Sequence, residues 1–305
     1  MPRIRVEAGS RLHAGFYHIG SSWNVSWAGA GFYVDLFNTI VEAWECSDPR
    51  IEAPNELDDV VSTVTRTVGV PACAKIVQHA PRHTGLGSTT QATMALAEAL
   101  LRASGRGVDR HTLALKLSRA MVSGVGALTY MHGGFVADAG RPWRTLEPII
   151  RLDVPEEWRF LIVIPRVGRG PSEAEEPATI PEPSEMARLL MASGVLRLAS
   201  GIARGDINDA LRGLAEIDSG TGLSFSSHQG GVYRSDIAWI AEEASKNGVT
   251  LVQSSWGPAL YTIESSEEDA LADLYLVKGL LSEAGMQGEL YIARPRNKPA
   301  SVYTV

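Results

Sequence analysis

Ile4, Val6 and Ala8 alternate with charged neighbours, so the chain opens on a half-buried β-strand. Residues 11–19 read as a second strand, reached through Gly9-Ser10. A strand pair is predicted over 30–35 and 39–44, with Leu36-Phe37-Asn38 at its turn. A helix follows over 56–68, stopped by Gly69 and Pro71. The apolar run 72–80, interrupted by Lys75 and Gln78, reads as a strand that leads through a glycine-containing loop into a helical run over 93–101. A further helix is predicted near 109–121, and Gly133 to Asp138 returns to the sheet.

The Pro- and charge-rich stretch 141–157 marks a boundary, dividing the chain into an N-terminal domain, 1–150, and a C-terminal domain, 151–305. Beyond it, 158–164 is a buried-type strand, and 168–176 is a glycine-containing loop running into a short acidic helix. Helices over 184–204, 207–217, 232–246 and 267–284 are interleaved with strands at 250–253, 259–263 and 288–294. Strands and helices mix in both halves, so the expected class is α+β with a two-layer core.

Composition narrows the function classes. With 45% hydrophobic and 21% charged residues, the 305-residue chain has the make-up of an ordinary globular protein. Its longest apolar runs, such as 160–165, are too short to span a bilayer, and the opening strand carries no signal-peptide core. No membrane partner and a cytoplasmic location are therefore expected. Cys46 and Cys73 lie far apart, which implies neither a disulfide scaffold nor a zinc site. A formal net charge of −7 argues against a nucleic-acid binder and leaves room for a local pocket for a small phosphorylated ligand.

The loop from Pro81 to Ala92, with Gly85-Leu86-Gly87-Ser88-Thr89 at its centre, carries the strongest chemistry. Glycines let the backbone approach a ligand, and a helix start presents unpaired N–H groups and a positive dipole end. Ser88 and Thr89 can cap the helix or bond an anion. Strand, glycine turn and helix make a phosphate cradle. The plainer alternative is a strand-to-helix turn with a Ser cap. No Lys follows the second glycine, so this is not a P-loop.

The same residues, between strand and helix and a little under a third of the way along, resemble the second motif of the GHMP small-molecule kinase superfamily, implying its two-domain α+β fold. Many kinase members carry an Asp after a Ser-Gly pair; here Gly126 stands at that place in Ser123-Gly124-Val125-Gly126. Arg11-Leu12-His13 with Gly15, His132-Gly133-Gly134-Phe135-Val136, Glu157-Trp158-Arg159-Phe160 and Gln253-Ser254-Ser255-Trp256-Gly257-Pro258 are similar to segments of one branch, the β-ribofuranosylaminobenzene 5′-phosphate synthases of methanopterin biosynthesis. The likeness covers nearly the whole chain and is most specific in the last segment. It implies a transferase that joins phosphoribosyl pyrophosphate to 4-hydroxybenzoate or 4-aminobenzoate with loss of carbon dioxide and pyrophosphate. Mg²⁺ is the expected cofactor and ATP is not.

Under that resemblance, Gly85, Leu86, Gly87, Ser88 and Thr89 are expected to hold pyrophosphate. Arg11 is a carboxylate or phosphate clamp, His13 a proton shuttle and His132 a third candidate catalytic residue; edge-of-sheet or structural roles are the alternatives. Ser254, Ser255 and Trp256 are expected to bind substrate, the indole by stacking, although a turn and a core Trp would give the same pattern. Gln229-Gly230-Gly231 is read as standing before a helix, either as a second anion-binding start, with Gln229 binding substrate, or as an ordinary helix entry. Ser88 and Glu173 are the candidate metal ligands; acidic residues at a helix start (Glu173, Glu175, Glu176) are also favoured by the dipole alone. Asp35, His83 and Asp138 are lesser candidates. A homodimer is expected by analogy with related folds. Two rival readings remain open: an ATP-dependent kinase of the superfamily, and a non-catalytic phosphometabolite-binding descendant.

Overall fold

The computed structural model describes residues 3–20, 25–119, 123–140, 146–170 and 182–305. Two long antiparallel strands form the spine, β1 (Ile4–Gly20) and β2 (Val25–Glu45). Each replaces a predicted pair of shorter strands. The segment Leu36-Phe37-Asn38 is not a hairpin turn: the β1–β2 register jumps between Ala8/Thr39 and Ser10/Val34, and Phe37 takes up the extra length at φ 49°. A second irregularity lies between His13 and Gly15 on β1.

After the two-residue strand β3 (Ile51–Glu52) and a 3₁₀ turn at Asn55–Leu57 come α1 (Asp58–Val68) and β4 (Ala72–Gln78). Helix α1 ends at Gly69 in the left-handed region, as the sequence predicts. Next are α2 (Ser88–Ala103), α3 (Arg110–Lys116), capped by Asp109, α4 (Val125–His132), β5 (Phe135–Asp138) and β6 (Pro148–Leu152). The second half runs through β7 (Arg159–Pro165), α5 (Glu185–Arg204), α6 (Ile207–Gln229), α7 (Ala238–Lys246), β8 (Val252–Gln253), β9 (Leu260–Glu264), α8 (Glu267–Glu283), β10 (Gly288–Pro295) and β11 (Ser301–Thr304).

The mixture of helices and sheet is the α+β architecture expected. Strand order along the main path is β11-β1-β2-β10-β7-β9-β8, while β4 and β5 also pair with β2. Strand pairing runs across the expected division at residue 150: β6 pairs with β5, β10 pairs with β2, and β11, which the sequence pattern did not reveal, pairs with β1. One apolar core lies between α1, α2, α4 and the β1–β2–β4 face, and a second under α5 and α6. A third is formed by α7 and α8 against β7 and β9. Helix α5 is long and apolar enough to cross a membrane by length and composition, but here it packs on α6 and β1.

Pairing of β2 with β4 opposes Trp44 to Cys73 and brings Cys46 alongside, and the two cysteines form a disulfide with Cα atoms 5.8 Å apart. This corrects the expectation drawn from their separation: antiparallel pairing closes the 27-residue gap. Chain-entropy arguments value such a cross-link at about 2–4 kcal/mol. Cys73→Ser should lower the unfolding free energy of the oxidised protein by that amount. Superimposable urea unfolding curves for variant and wild type would show that the bond contributes nothing.

Candidate active site

The site is built around the irregularity in β1. His13 is buried, and its backbone N–H donates to Ser254 Oγ at 3.0 Å. Nδ1 accepts from the Gly15 N–H at 3.1 Å, so the neutral ring carries its proton on Nε2, which lies 3.2 Å from Ser123 Oγ. Burial, with a smaller contribution from the positive charge of Arg11, holds the imidazole pKa well below its usual value. The neutral ring, with its Nε2 proton as a donor, is therefore the favoured form of His13.

The glycine loop lies next to it. Gly85 (φ 97°) and Gly87 (φ 71°) occupy the left-handed side of backbone space. The loop's carbonyls are drawn inward: Gly85 C=O accepts from Ser254 Oγ at 2.8 Å and from Arg11 at 3.3 Å, and Leu86 C=O accepts from the Arg11 N–H at 2.9 Å. Among the described residues, the N–H groups of Gly85, Leu86 and Gly87 donate to no backbone carbonyl outside regular elements. The first turn of α2 adds its own unpaired N–H groups. The helix is capped by the Gly87 backbone, without a side-chain capping bond, so the Ser88 hydroxyl is not a cap. The Leu86 side chain is buried in the core and contributes only its backbone.

The 254–257 turn presses on this loop, and a Cβ at Gly85 would stand 2.2 Å from Ser254 C=O. Ser254 is fully buried and joins the loop to His13, so it is a link within the scaffold and does not line the adjoining cleft. Arg11 likewise contacts the loop from beneath.

That cleft encloses about 370 Å³ including its solvent-open mouth. Phe16, Phe225 and Trp256 line it; the rings of Phe225 and Trp256 meet edge-to-face at 5.0 Å, and Phe16 lies 5.7 Å from Phe225. His13, Gln229, Gln253, Ser255 and Asp218 supply its polar groups. Helix α6 reaches this cleft because Gly15 leaves no side chain in the way: a Cβ there would meet Ile217 at 2.5 Å. Thr221 then accepts from the Phe16 N–H at 2.9 Å.

Of the sequence-predicted residues, the structure brings His13, Gln229, Ser255 and Trp256 to one cleft, with the glycine loop one hydrogen-bonded residue away. Gln229 reaches it from the end of α6; Gly230 is that helix's left-handed cap, and α7 starts only at Ala238, so no anion-binding helix begins there. His132 is not in the cleft. It closes α4 against His111, 5.6 Å away, while the Gly133-Gly134 backbone is approached by residues 297–298 and β6, not by a ligand. Glu173, Glu175 and Glu176 lie outside the described residues. Asp35 pairs with Arg296, and Asp138 accepts from Gly124 and Gly140, buttressing the Ser123 turn. Sequence reasoning missed Asp218, Phe225 and Gln253 as cleft residues.

Gly126 sits in the first turn of α4 facing Thr90 of α2, whose atoms a Cβ would meet at 3.2–3.4 Å. A carboxylate side chain at this position would have to displace Thr90.

No family model matches the chain. It is 27% identical over 243 residues to the β-ribofuranosylphenol 5′-phosphate synthase of Methanothermobacter thermautotrophicus, covering 72% of this chain and 70% of that protein. With the protein of the same name from Archaeoglobus fulgidus, identity is 23% over 301 residues, covering 90% and 94%. Among solved structures, the homoserine kinase of Cytophaga hutchinsonii is similar with TM-score 0.69 and 18% identity, covering 99% and 97%. Mevalonate pyrophosphate decarboxylase of Streptococcus pyogenes also gives TM-score 0.69, with 10% identity and coverage of 97% and 98%. The fold is that of the GHMP kinases. In sequence, the likeness runs to the β-ribofuranosylphenol 5′-phosphate synthases. On this fold the chain pairs a glycine loop with an aromatic-walled cleft, and Gly126 stands in the first turn of α4.

Proposed function

We propose that the protein is a phosphoribosyl-pyrophosphate-dependent C-glycosyltransferase. It condenses that donor with 4-hydroxybenzoate or 4-aminobenzoate and releases carbon dioxide and pyrophosphate, a step of methanopterin biosynthesis. The observation that carries this reading is the junction of the glycine loop with a cleft lined by Phe16, Phe225 and Trp256. A donor of backbone N–H groups suits pyrophosphate, and three rings suit a flat aromatic acceptor. The names of the sequence relatives point the same way.

In this reaction the ring carbon bearing the carboxylate attacks C1 of the ribose as the bond from C1 to pyrophosphate breaks. The carbon–carboxylate bond then gives its electrons back to the ring and carbon dioxide leaves. The protein's part is positioning and charge stabilisation. Loop N–H groups from Gly85 to Thr89 receive the negative charge that grows on the leaving pyrophosphate. Arg11 holds Gly85 and Leu86 so that their carbonyls face away from it. His13, anchored through Nδ1, keeps its Nε2 proton beside Ser123 at the cleft wall.

Among the described residues no three His, Cys, Asp or Glu side chains converge as metal ligands. The loop N–H groups would hold the substrate's phosphates, and the Ser88 hydroxyl oxygen would be the protein ligand to a Mg²⁺ ion arriving on them. Such an ion would neutralise charge on the departing pyrophosphate. The acceptor and donor are small molecules, and we place the enzyme in the cytoplasm.

The direct test is incubation with phosphoribosyl pyrophosphate, Mg²⁺ and carboxyl-labelled 4-hydroxybenzoate or 4-aminobenzoate. Labelled carbon dioxide and pyrophosphate should appear in equal amounts. Folded protein that releases neither, or that instead makes ADP from ATP and a small alcohol, would overturn the assignment.

A further inference from the structure

Asp218, near the middle of α6, is buried, with 6% of its surface exposed, yet lines the cleft. Its Oδ1 accepts from the Gln253 N–H at 3.1 Å; its Oδ2 is buried, and the carboxylate shares the Tyr233 hydroxyl with Leu251 C=O. A buried carboxylate with one N–H donor and a shared hydroxyl is under-satisfied for its about four lone-pair sites, and it keeps room to accept a further donor from the cleft. The cleft that faces it has rings on its walls and no Lys or Arg among its lining residues.

Resting on the function proposed above, we infer that Asp218 recognises the para substituent of the aromatic acceptor, its Oδ2 accepting a hydrogen bond from the 4-hydroxyl or 4-amino group. The two ends of the acceptor differ in hydrogen-bond character. The para group is a donor, which a carboxylate can accept, whereas the acceptor's own carboxylate would be repelled. The para end therefore points to α6. The carboxyl-bearing carbon then faces β1 and the loop, the side on which C1 of the ribose must lie if the loop holds the pyrophosphate. Orientation and selectivity follow from one side chain.

Burial raises the Asp218 carboxyl to about 7. The titratable groups facing it are Tyr233 beyond α6, Tyr261 on β9 and His13 on β1, with Arg11 acting on the last two. Both tyrosines are pushed up by burial and His13 is pushed down, so none of these three changes charge between pH 6 and 8. Asp218 does change: it accepts best when ionised, so preference for a para donor should grow as pH rises through about 7. The exposed His228, whose ring lies 6.5 Å from Phe225 at the end of the same helix, needs its own control.

Calorimetric binding of 4-hydroxybenzoate, benzoate and 4-methoxybenzoate to the full chain at pH 6, 7 and 8 tests this. At pH 8 the wild type should prefer 4-hydroxybenzoate by about ten- to hundredfold, the range for a hydrogen bond to a charged group. The preference should shrink towards pH 6, and the two ligands lacking a para donor should behave alike. Asp218→Asn should reduce it to within about threefold at every pH, while His228→Gln should keep it. A wild-type preference that is constant with pH, or one retained by Asp218→Asn, overturns the assignment; the wild-type series alone decides it where the variant does not fold. Labelled carbon dioxide release by the wild type separates the two levels. Turnover without the pH-dependent preference removes only the role of Asp218, whereas no turnover removes the function on which it rests.

Discussion

Gly85→Ala should lower kcat/KM by about a hundredfold or more, with most of the damage in the use of phosphoribosyl pyrophosphate. A misplacement of about an ångström in a reacting array is enough for a loss of that size. The added Cβ would stand 2.2 Å from Ser254 C=O, a backbone atom that cannot swing aside, and φ of 97° strains any side chain there. Relief requires moving the 254–257 turn. Because Ser254 also accepts from the His13 N–H, the disturbance reaches both the loop and the cleft. Gly87→Ala should be milder: φ of 71° strains it too, but its new Cβ would meet Arg11 Cβ and Nε at 3.1 Å, a shift of a few tenths of an ångström, where Gly85 meets a backbone carbonyl at 2.2 Å. Initial rates over a grid of both substrates, on variants shown to fold by circular dichroism, give the ranking. Near-wild-type kcat/KM for Gly85→Ala would remove the loop from the phosphate site.

His13→Ala should cost about 10²- to 10³-fold in kcat, the usual price of deleting one preorganised donor. The ring's proton sits on Nε2 beside Ser123 because the Gly15 N–H fixes the tautomer. With its pKa held low by burial, His13 stays neutral over the working range and should add no limb of its own to the rate profile between pH 6 and 8. His13→Gln, which restores a donor of similar reach, should recover part of the rate. If His13→Ala retains kcat within about threefold, the residue shapes the strand and no more.

What could be read from the sequence follows how local each signal is. The glycine loop and α2 were legible because strand, φ-permissive turn and helix start are written in consecutive residues, Ala72 to Ala103. The irregularity at 36–38 was not, since Asn38 after Phe37 looks like a turn unless the partner strand is known to continue. Helix α6 was expected to stop at Ile217 because glycines and serines follow, yet packing on β1 and β8 carries it to Gln229. That same extension hid Asp218, a lone carboxylate whose role depends on what lies across from it. Arg11 and His13 stand out together in the sequence, but only the fold shows one supporting the loop and the other lining the cleft. The reading of His132 failed because Gly133-Gly134 signals a close approach without saying by what, and residues 297–298 make that approach.

The bond from His13 to Ser254 joins residues 241 apart in sequence, and that from Phe16 to Thr221 joins residues 205 apart. Contacts of such long range close large loops and form slowly, after local helices and hairpins. Loop and cleft are thus late properties of the folding chain: Gly85 C=O is held by Ser254 and Thr84 C=O by the Ala259 N–H, so both are complete only when the last third has docked. Enzymatic activity in this protein is a readout of complete assembly, and a fragment ending before β8 would lack the Ser254 and Ala259 contacts that hold the loop as well as the cleft wall.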